Sequence, residues 1–245
     1  MILLFTDFGL EGPYIGQVKA ALWREVPNTP VFDLFSDAPV FAPRASSYLL
    51  AAYTDVFPHD SVFLAVVDPG VGTAWRRPVV VRAGGRWFVG PDNGLFNVVM
   101  QRNDDCRMWD ITHQPKAMSA TFHGRDLFAP VAACLARGEH PPGEPVDPEH
   151  RMHHDWPDDL PEIVYIDRYG NAMTGMRANA LPMGTALEIN GQHLERSRTF
   201  GDVPVGDATW YENANGLAEI AVNRGSAAER LGLEVGVPVR LVNLR

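Results

Sequence analysis

The sequence predicts an α/β domain followed by a smaller all-β, barrel-like domain. Three observations point there. Apolar, strand-like segments alternate with helix-periodic ones over residues 1–140. A polar stretch rich in Pro, Asp and His, residues 141–160, then interrupts every periodicity. Beyond it, residues 161–245 hold short strand segments separated by turn signals, with no long helical pattern. Strand–helix alternation implies a layered domain with a mainly parallel sheet and flanking helices, and a run of short strands alone implies an all-β unit.

The elements follow in order. "MILLF" is a short apolar strand that ends at Thr6-Asp7-Phe8-Gly9. In "YIGQVKAALWREV", Ile15, Val18, Ala21, Leu22 and Val26 recur at helical intervals until Pro27 stops them. "PVFDLF" reads as a second strand and "PRASSYLLAAYTDVF" as a second helix. "SVFLAVV" is apolar almost throughout, as befits a strand covered on both faces. "RPVVVRAGGRWFVG" reads as a hairpin turning at Gly84-Gly85. "CRMWDI" is a further strand, and "DLFAPVAACLARG" a helix ended by Gly138. Residues 141–160 read as a linker. After them, "EIVYID", "TALEING", "LAEIAVN" and "VPVRLVNL" read as strands. The chain contains no internal repeat.

Composition narrows the function classes. A formal charge of −9 argues against a nucleic-acid or anionic-membrane surface, since both attract basic patches. Two cysteines, Cys106 and Cys134, support neither a disulfide framework nor a thiolate zinc cage. No apolar run approaches the length of a membrane span, and "MILLFTDFG" is too short and lacks a basic leader for a signal peptide. A cytoplasmic location is the expectation.

Polar residues gather where strands end. Ligands of parallel α/β sheets sit beyond the carboxyl ends of the strands. Asp7 ends the first strand and Asp68 the third, "VGPDNG" sets Asp92 and Asn93 on a turn after another, and "TFHGRD" sets His123, Arg125 and Asp126 at a helix start. One Asp-Gly strand end is ordinary turn chemistry; several together point to a shared cleft. Asp126 is also placed to cap its helix. Asp7-Phe8-Gly9 lacks the other elements of a kinase, and no GxGxxG follows the first strand, so neither a kinase nor a nicotinamide site is expected. His150, His153, His154 and Asp155 read as a solvated polar segment, and no metal site is expected.

Five stretches, "TDFG", "VVDPGVG…RRP", "FVGPDNG", "TFHGRDLFAP" and "DRYGNAMTG", occur in the order found in the S-adenosyl-L-methionine hydroxide adenosyltransferase family, which this sequence resembles over nearly its whole length. That family comprises adenosine-forming hydrolases of S-adenosylmethionine related to the C5′-halogenases. The resemblance implies an α/β domain, a β-barrel-like domain and a homotrimer whose sites lie between subunits, with a small-molecule substrate and no cofactor. It implies catalytic roles for Asp68, an arginine of "RRP" and His123. "GTAWRRP" is one residue longer than the family spacing; anchoring on Arg-Arg-Pro favours Arg76 and leaves Arg77 open. The halogenase relatives carry tyrosine at the Asp68 position and lack the histidine, so the chain resembles the hydrolase branch.

By the same matching, Asp7 is expected to take both ribose hydroxyls, with Phe8 and Gly124 beside it. Asp167 and Asn171 are expected to grip the methionine amino end and the adenosine, Tyr169 to face adenine, and Glu219 and Val222 to line the nucleoside. Departures from the family are Ser36 and Phe63 where histidines are frequent, Gly175 for asparagine and Ala214 for serine. An Asp beside an Arg is expected to have a lowered pKa, which makes Asp68 an anchor for water and His123 the proton acceptor. Two other functions fit the residues: a nucleoside or S-adenosylmethionine sensor with little turnover, and a metal-dependent phosphoester hydrolase built on Asp7, Asp68, Asp92 and His123.

Overall fold

The structure, a computed structural model, describes residues 1–73, 76–112, 115 and 117–243. Ala74 and Trp75, within the lengthened "GTAWRRP" segment, fall outside them. The chain forms two compact units, Met1–His153 and His154–Arg245.

The first unit is built on a seven-stranded sheet in the order β2-β1-β3-β5-β4-β6-β7. Its strands are β1 (Ile2–Thr6), β2 (Val31–Phe35), β3 (Val62–Val66), β4 (Pro78–Ala83), β5 (Arg86–Pro91), β6 (Arg107–Ile111) and β7 (Gly143–Val146). The pairs β1–β2, β1–β3 and β3–β5 are parallel; β4–β5, β4–β6 and β6–β7 are antiparallel. All five residues of β1 and of β3 are buried, which accounts for their unbroken apolar sequences.

Successive strand residues serve opposite layers. Ile2, Leu4, Val62, Leu64 and Val66 pack with Ile15, Val18 and Leu22 of α1 (Tyr14–Glu25) and with α4 (Ala129–Ala136). The alternate residues Phe63 and Phe88 stack with centroids 5.1 Å apart, and they meet Phe57 and Phe96, which follow α2 (Pro43–Tyr53) and precede α3 (Asn97–Gln101). Phe63, at a position where the family frequently carries histidine, is therefore core.

The β4–β5 hairpin turns where expected, with Gly84 at φ 54° and Gly85 at φ 72°. Both values belong to the left-handed region that a two-residue hairpin turn with right-handed strand twist requires. Helix α2 stops at Tyr53, four residues short of the periodic pattern, and the Thr54 hydroxyl donates to the Ala51 carbonyl at 3.1 Å. Part of the stretch read as a linker belongs to the sheet: Gly143–Val146 pairs antiparallel with β6. Pro145 is admissible there because β7 is an edge strand and that strand can spare an N–H.

The second unit holds two antiparallel sheets, β12-β13-β9-β8 and β11-β10-β14. The strands are β8 (Leu160–Ile166), β9 (Ala172–Arg177), β10 (Thr185–Ile189), β11 (Gln192–Leu194), β12 (Ala208–Glu212), β13 (Leu217–Val222) and β14 (Arg240–Asn243). Trp210 is fully buried among Ile163, Met176, Leu187 and Ile220, and its indole N–H donates to the Thr185 carbonyl at 3.2 Å, linking β12 to β10. A short helix α5 (Ala227–Leu231) is capped by Ser226, whose hydroxyl accepts from the Glu229 N–H at 3.1 Å. Strands β9 and β12 escaped the sequence pattern because "AMTGMR" and "ATWYE" do not alternate cleanly between apolar and polar.

Candidate active site

Asp68 follows the buried end of β3 and Arg76 precedes β4. Their side chains are 3% and 2% exposed, and Arg76 Nη2 lies 2.8 Å from Asp68 Oδ2. The same Nη2 lies 2.6 Å from His123 Nδ1. The guanidinium also sits over the Phe128 ring, 5.5 Å from its centroid. The three residues expected to act together are thus joined through one nitrogen. Arg77 points elsewhere: its side chain is 57% exposed and pairs with Asp110 at 3.0 Å. Of the two arginines, Arg76 is the one that meets Asp68 and His123.

Donor chemistry sets the state of His123. An arginine can only donate, so Nδ1 must accept, and the ring proton resides on Nε2. Burial, and then the Arg76 charge, lower the His123 pKa, in keeping with a neutral ring. His123 directly precedes five residues of π-helical geometry, Gly124–Phe128, which lead into α4. Such single π turns inside helices recur at functional sites because they redirect side chains.

The lowered pKa expected for Asp68 is not what the structure gives. Burial raises it, and this outweighs the opposing effects of Arg76 and of the Gly70 N–H; the nearby Asp7 carboxylate raises it further. Asp68 Oδ1 accepts from the Gly70 N–H at 3.2 Å, whereas buried Oδ2 takes no aligned hydrogen bond despite its close approach to Arg76. Asp68 Oδ2 is thus buried against Arg76 Nη2, and burial gives the carboxyl an enhanced affinity for a proton.

Asp7 follows β1, and its Oδ2 accepts from the Phe41 N–H at 3.4 Å. Its pKa is also raised, mainly by burial. Phe41 is 74% exposed and holds a left-handed φ of 58°, uncommon for an aromatic residue. Nothing in the local sequence signals that conformation. Phe8 packs edge-on against Phe122 at 5.8 Å between centroids, and Gly124 is close enough that a Cβ there would come 3.1 Å from Phe8 Cζ.

Asp126 does not cap its helix from the N-cap position. Its carboxylate takes a two-pronged contact from Arg125 at 2.6 and 2.9 Å and accepts from the Ser119 N–H at 2.8 Å. Asp92 is bound by Arg151 at 2.6 Å, so the set Asp7, Asp68, Asp92 and His123 is not assembled as a ligand sphere. Among the described residues, no three His, Cys, Asp or Glu side chains converge as metal ligands.

In the second unit, Asp167, Tyr169, Asn171 and Val222 line one cavity of about 660 Å³, together with Phe200 and Arg224. Asp167 organises that loop: Oδ1 accepts from the N–H groups of Tyr169 and Asn171 at 2.8 and 2.9 Å, and Oδ2 from Asn171 Nδ2 at 3.1 Å. Gly170, at φ 81°, presses so closely on Ser226 that a Cβ would lie 2.1 Å from its hydroxyl oxygen. Tyr169 is 78% exposed, so it is not a core residue.

Glu219 lines a separate cavity of about 380 Å³ with Ala214 and Asn215. It is buried, and it accepts from the Tyr211 hydroxyl at 2.5 Å and from Asn213 Nδ2 at 2.9 Å. Asn213 in turn accepts from the N–H groups of Asn215 and Leu217 at 2.9 and 3.0 Å. Glu219 thereby holds the 213–217 turn in shape. Gly175 lies in β9, where a Cβ would come 2.7 Å from that of Leu160; the missing asparagine there reflects packing between strands.

The chain matches two family descriptions in sequence order. Residues 2–144 match the SAM hydroxide adenosyltransferase N-terminal domain, and residues 161–240 match the C-terminal domain of the same family. A Thermus thermophilus protein named (R)-S-adenosyl-L-methionine hydrolase is 43% identical across 98% of this chain and 99% of its own length. A Salinispora tropica protein of the same name is 35% identical across 96% of this chain and 95% of its own. Among solved structures, a conserved protein of Thermotoga maritima superposes with a TM-score of 0.86 at 28% identity, over 99% of this chain and 100% of its own.

Proposed function

The chain belongs to the SAM hydroxide adenosyltransferase family, and from that premise we propose that it hydrolyses (R)-S-adenosyl-L-methionine to adenosine and L-methionine through a water held at Asp68, Arg76 and His123. The water oxygen attacks ribose C5′, the C5′–S bond breaks, and methionine leaves as a neutral thioether. The oxygen ends as the 5′ hydroxyl, and one water proton is given up.

The single observation that carries the assignment of roles is the shared contact of Arg76 Nη2 with Asp68 and His123. Asp68 is the proton acceptor, since burial raises its proton affinity above that of an ordinary carboxylate despite the Arg76 charge. His123, with Nδ1 bound to Arg76, presents Nε2–H as a donor that orients the oxygen. This reverses the division of labour expected from an Asp–Arg pair viewed in isolation. Substitution at saturated carbon needs nucleophile, carbon and sulfur in line and creates no oxyanion, so positioning is the main device. Well-oriented intramolecular reactions gain about 7–11 kcal/mol this way.

Asp7 holds the ribose hydroxyls, with Phe8 and Gly124 shaping the adjoining wall. Asp167, Tyr169, Asn171 and Val222 receive the rest of the substrate, with Glu219 supporting the neighbouring turn. We propose further that the protein works as a homotrimer whose sites combine these two residue sets from different subunits, as the family resemblance implies.

Incubation with S-adenosylmethionine in ¹⁸O-labelled water tests the reaction. Adenosine labelled at the 5′ oxygen, together with methionine, is expected. Release of S-adenosylhomocysteine, or unlabelled adenosine, would rule the reaction out.

A further inference from the structure

The Asp68–Arg76 pair is formed by residues from two different chain segments, and each segment is gripped beside the pair by the same turn. Asn93 Nδ2 donates to the carbonyl of Val67, the residue before Asp68, at 2.8 Å. The Asp92 N–H donates to the carbonyl of Arg77, the residue after Arg76, at 2.8 Å. Asn93 is held in turn by the Leu95 N–H, which donates to its Oδ1 at 3.3 Å. One turn thus sets both sides of the pair.

The turn is itself fastened from outside. Arg151 Nη1 lies 2.6 Å from Asp92 Oδ2 and its Nη2 lies 3.1 Å from Asp110 Oδ2. Asp110 also receives Arg77 at 3.0 Å. Arg151 is 22% exposed and its partners 16% and 20%, so the network is shielded and its geometry constrained more than that of a surface ion pair. The turn acts on the backbone either side of the pair, through the carbonyls of Val67 and Arg77.

We infer that the Asp92–Asn93 turn, locked by Arg151, positions the Asp68–Arg76 pair, and that Asn93 and Arg151 are positioning residues for the reaction. The inference rests on the reading of that pair as the holder of the attacking water. Its physical content is registration: Nη2 must serve Asp68 and His123 at once, and displacements of about 1 Å at such a contact can cost about a hundredfold in rate.

The test is steady-state hydrolysis by wild type, Asn93→Ala, Arg151→Met and Arg151→Lys across a pH series, well below each variant's melting temperature. The groups facing Asp68 are Arg76, Asp7 and the Gly70 N–H, with His123 on the far side of the Arg76 Nη2. If Arg76 draws back, Asp68 loses the positive charge that opposes its raised pKa, so the acid limb of kcat should move to higher pH. Asn93→Ala and Arg151→Met should lower kcat about 10- to 100-fold with KM changed less than about threefold, and Arg151→Lys should recover part of the loss. A purely structural role would reduce the folded fraction and leave the acid limb where it was. An unmoved limb with wild-type kcat per folded molecule overturns the inference. If Asn93→Ala does not fold, the two Arg151 variants decide by the same criteria. A wild-type protein with no hydrolysis would instead overturn the functional reading beneath it.

Discussion

His123 Nδ1 accepts a hydrogen bond from Arg76 Nη2 at 2.6 Å, a contact that an imidazolium cannot make. The site is therefore assembled around a neutral histidine whose proton is on Nε2, and this has a direct spectroscopic consequence. ¹⁵N NMR of the histidine side chains at pH 7 should show His123 as the Nε2–H tautomer. Its titration should lie below the ordinary imidazole value of 6.5, because burial and the Arg76 charge both oppose protonation. An Nδ1–H signal would contradict the geometry.

The rate should show an acid limb governed by two groups. Asp68 must be deprotonated to accept a proton, and burial raises its pKa above 3.8; His123 must be neutral, and its pKa is lowered from 6.5. Both shifts move the titrations inward, so kcat should fall with decreasing pH between about 4 and 6.5 and stay level from pH 7 to 8. A limb near pH 3 would mean that Arg76 dominates Asp68 after all.

The two adjacent arginines should separate cleanly. Arg76→Lys should cost about a hundredfold or more in kcat, since the shorter stem does not carry its nitrogen to the Nη2 position between Asp68 and His123 and the planar group over Phe128 is lost. Arg77→Ala should stay within about threefold, because it removes a side chain that is itself 57% exposed and leaves the backbone contact to Asp92 in place. Arg76→Ala is the poorer probe: stranding a buried partner costs about 3–5 kcal/mol of stability and confounds the rate.

Gly175→Asn, which restores the family's residue, should destabilise the protein and not improve substrate binding. Its Cβ would meet Leu160 at 2.7 Å, and overpacking of this kind costs about 1–3 kcal/mol. Thermal melts and KM for S-adenosylmethionine measure the two effects separately.

A mixture of Asp68→Ala and Asn171→Ala proteins should recover activity that neither has alone, if each site draws its two residue sets from different subunits. Sedimentation should then give a trimer. An active monomer, or failure of complementation after proven subunit exchange, would place both sets in one chain.

Much of the fold was legible because burial repeats along the chain. The apolar runs of β1 and β3, the spacing of Ile15, Val18 and Leu22, and Gly84-Gly85 all carry their structure in local pattern. So do the strand ends that place Asp7 and Asp68. β7 was not legible, since Pro145 in a polar stretch looks like a linker until β6 is found beside it. Its ordering comes from β6, a strand far off in the sequence, and no local pattern encodes that.

Local pattern and motif order carried the two-unit organisation, the strand-end residues and the family. Packing in three dimensions fixed which arginine meets Asp68, because Arg76 turns inward to Asp68 and His123 while Arg77 turns outward to Asp110, and nothing in Arg-Arg-Pro distinguishes the two. It also decided the sign of the Asp68 pKa shift. A neighbouring charge can be read from spacing, but the extent of burial depends on Phe128, His123 and the surrounding layers packed around the pair. Near Asp68 that burial is the larger effect.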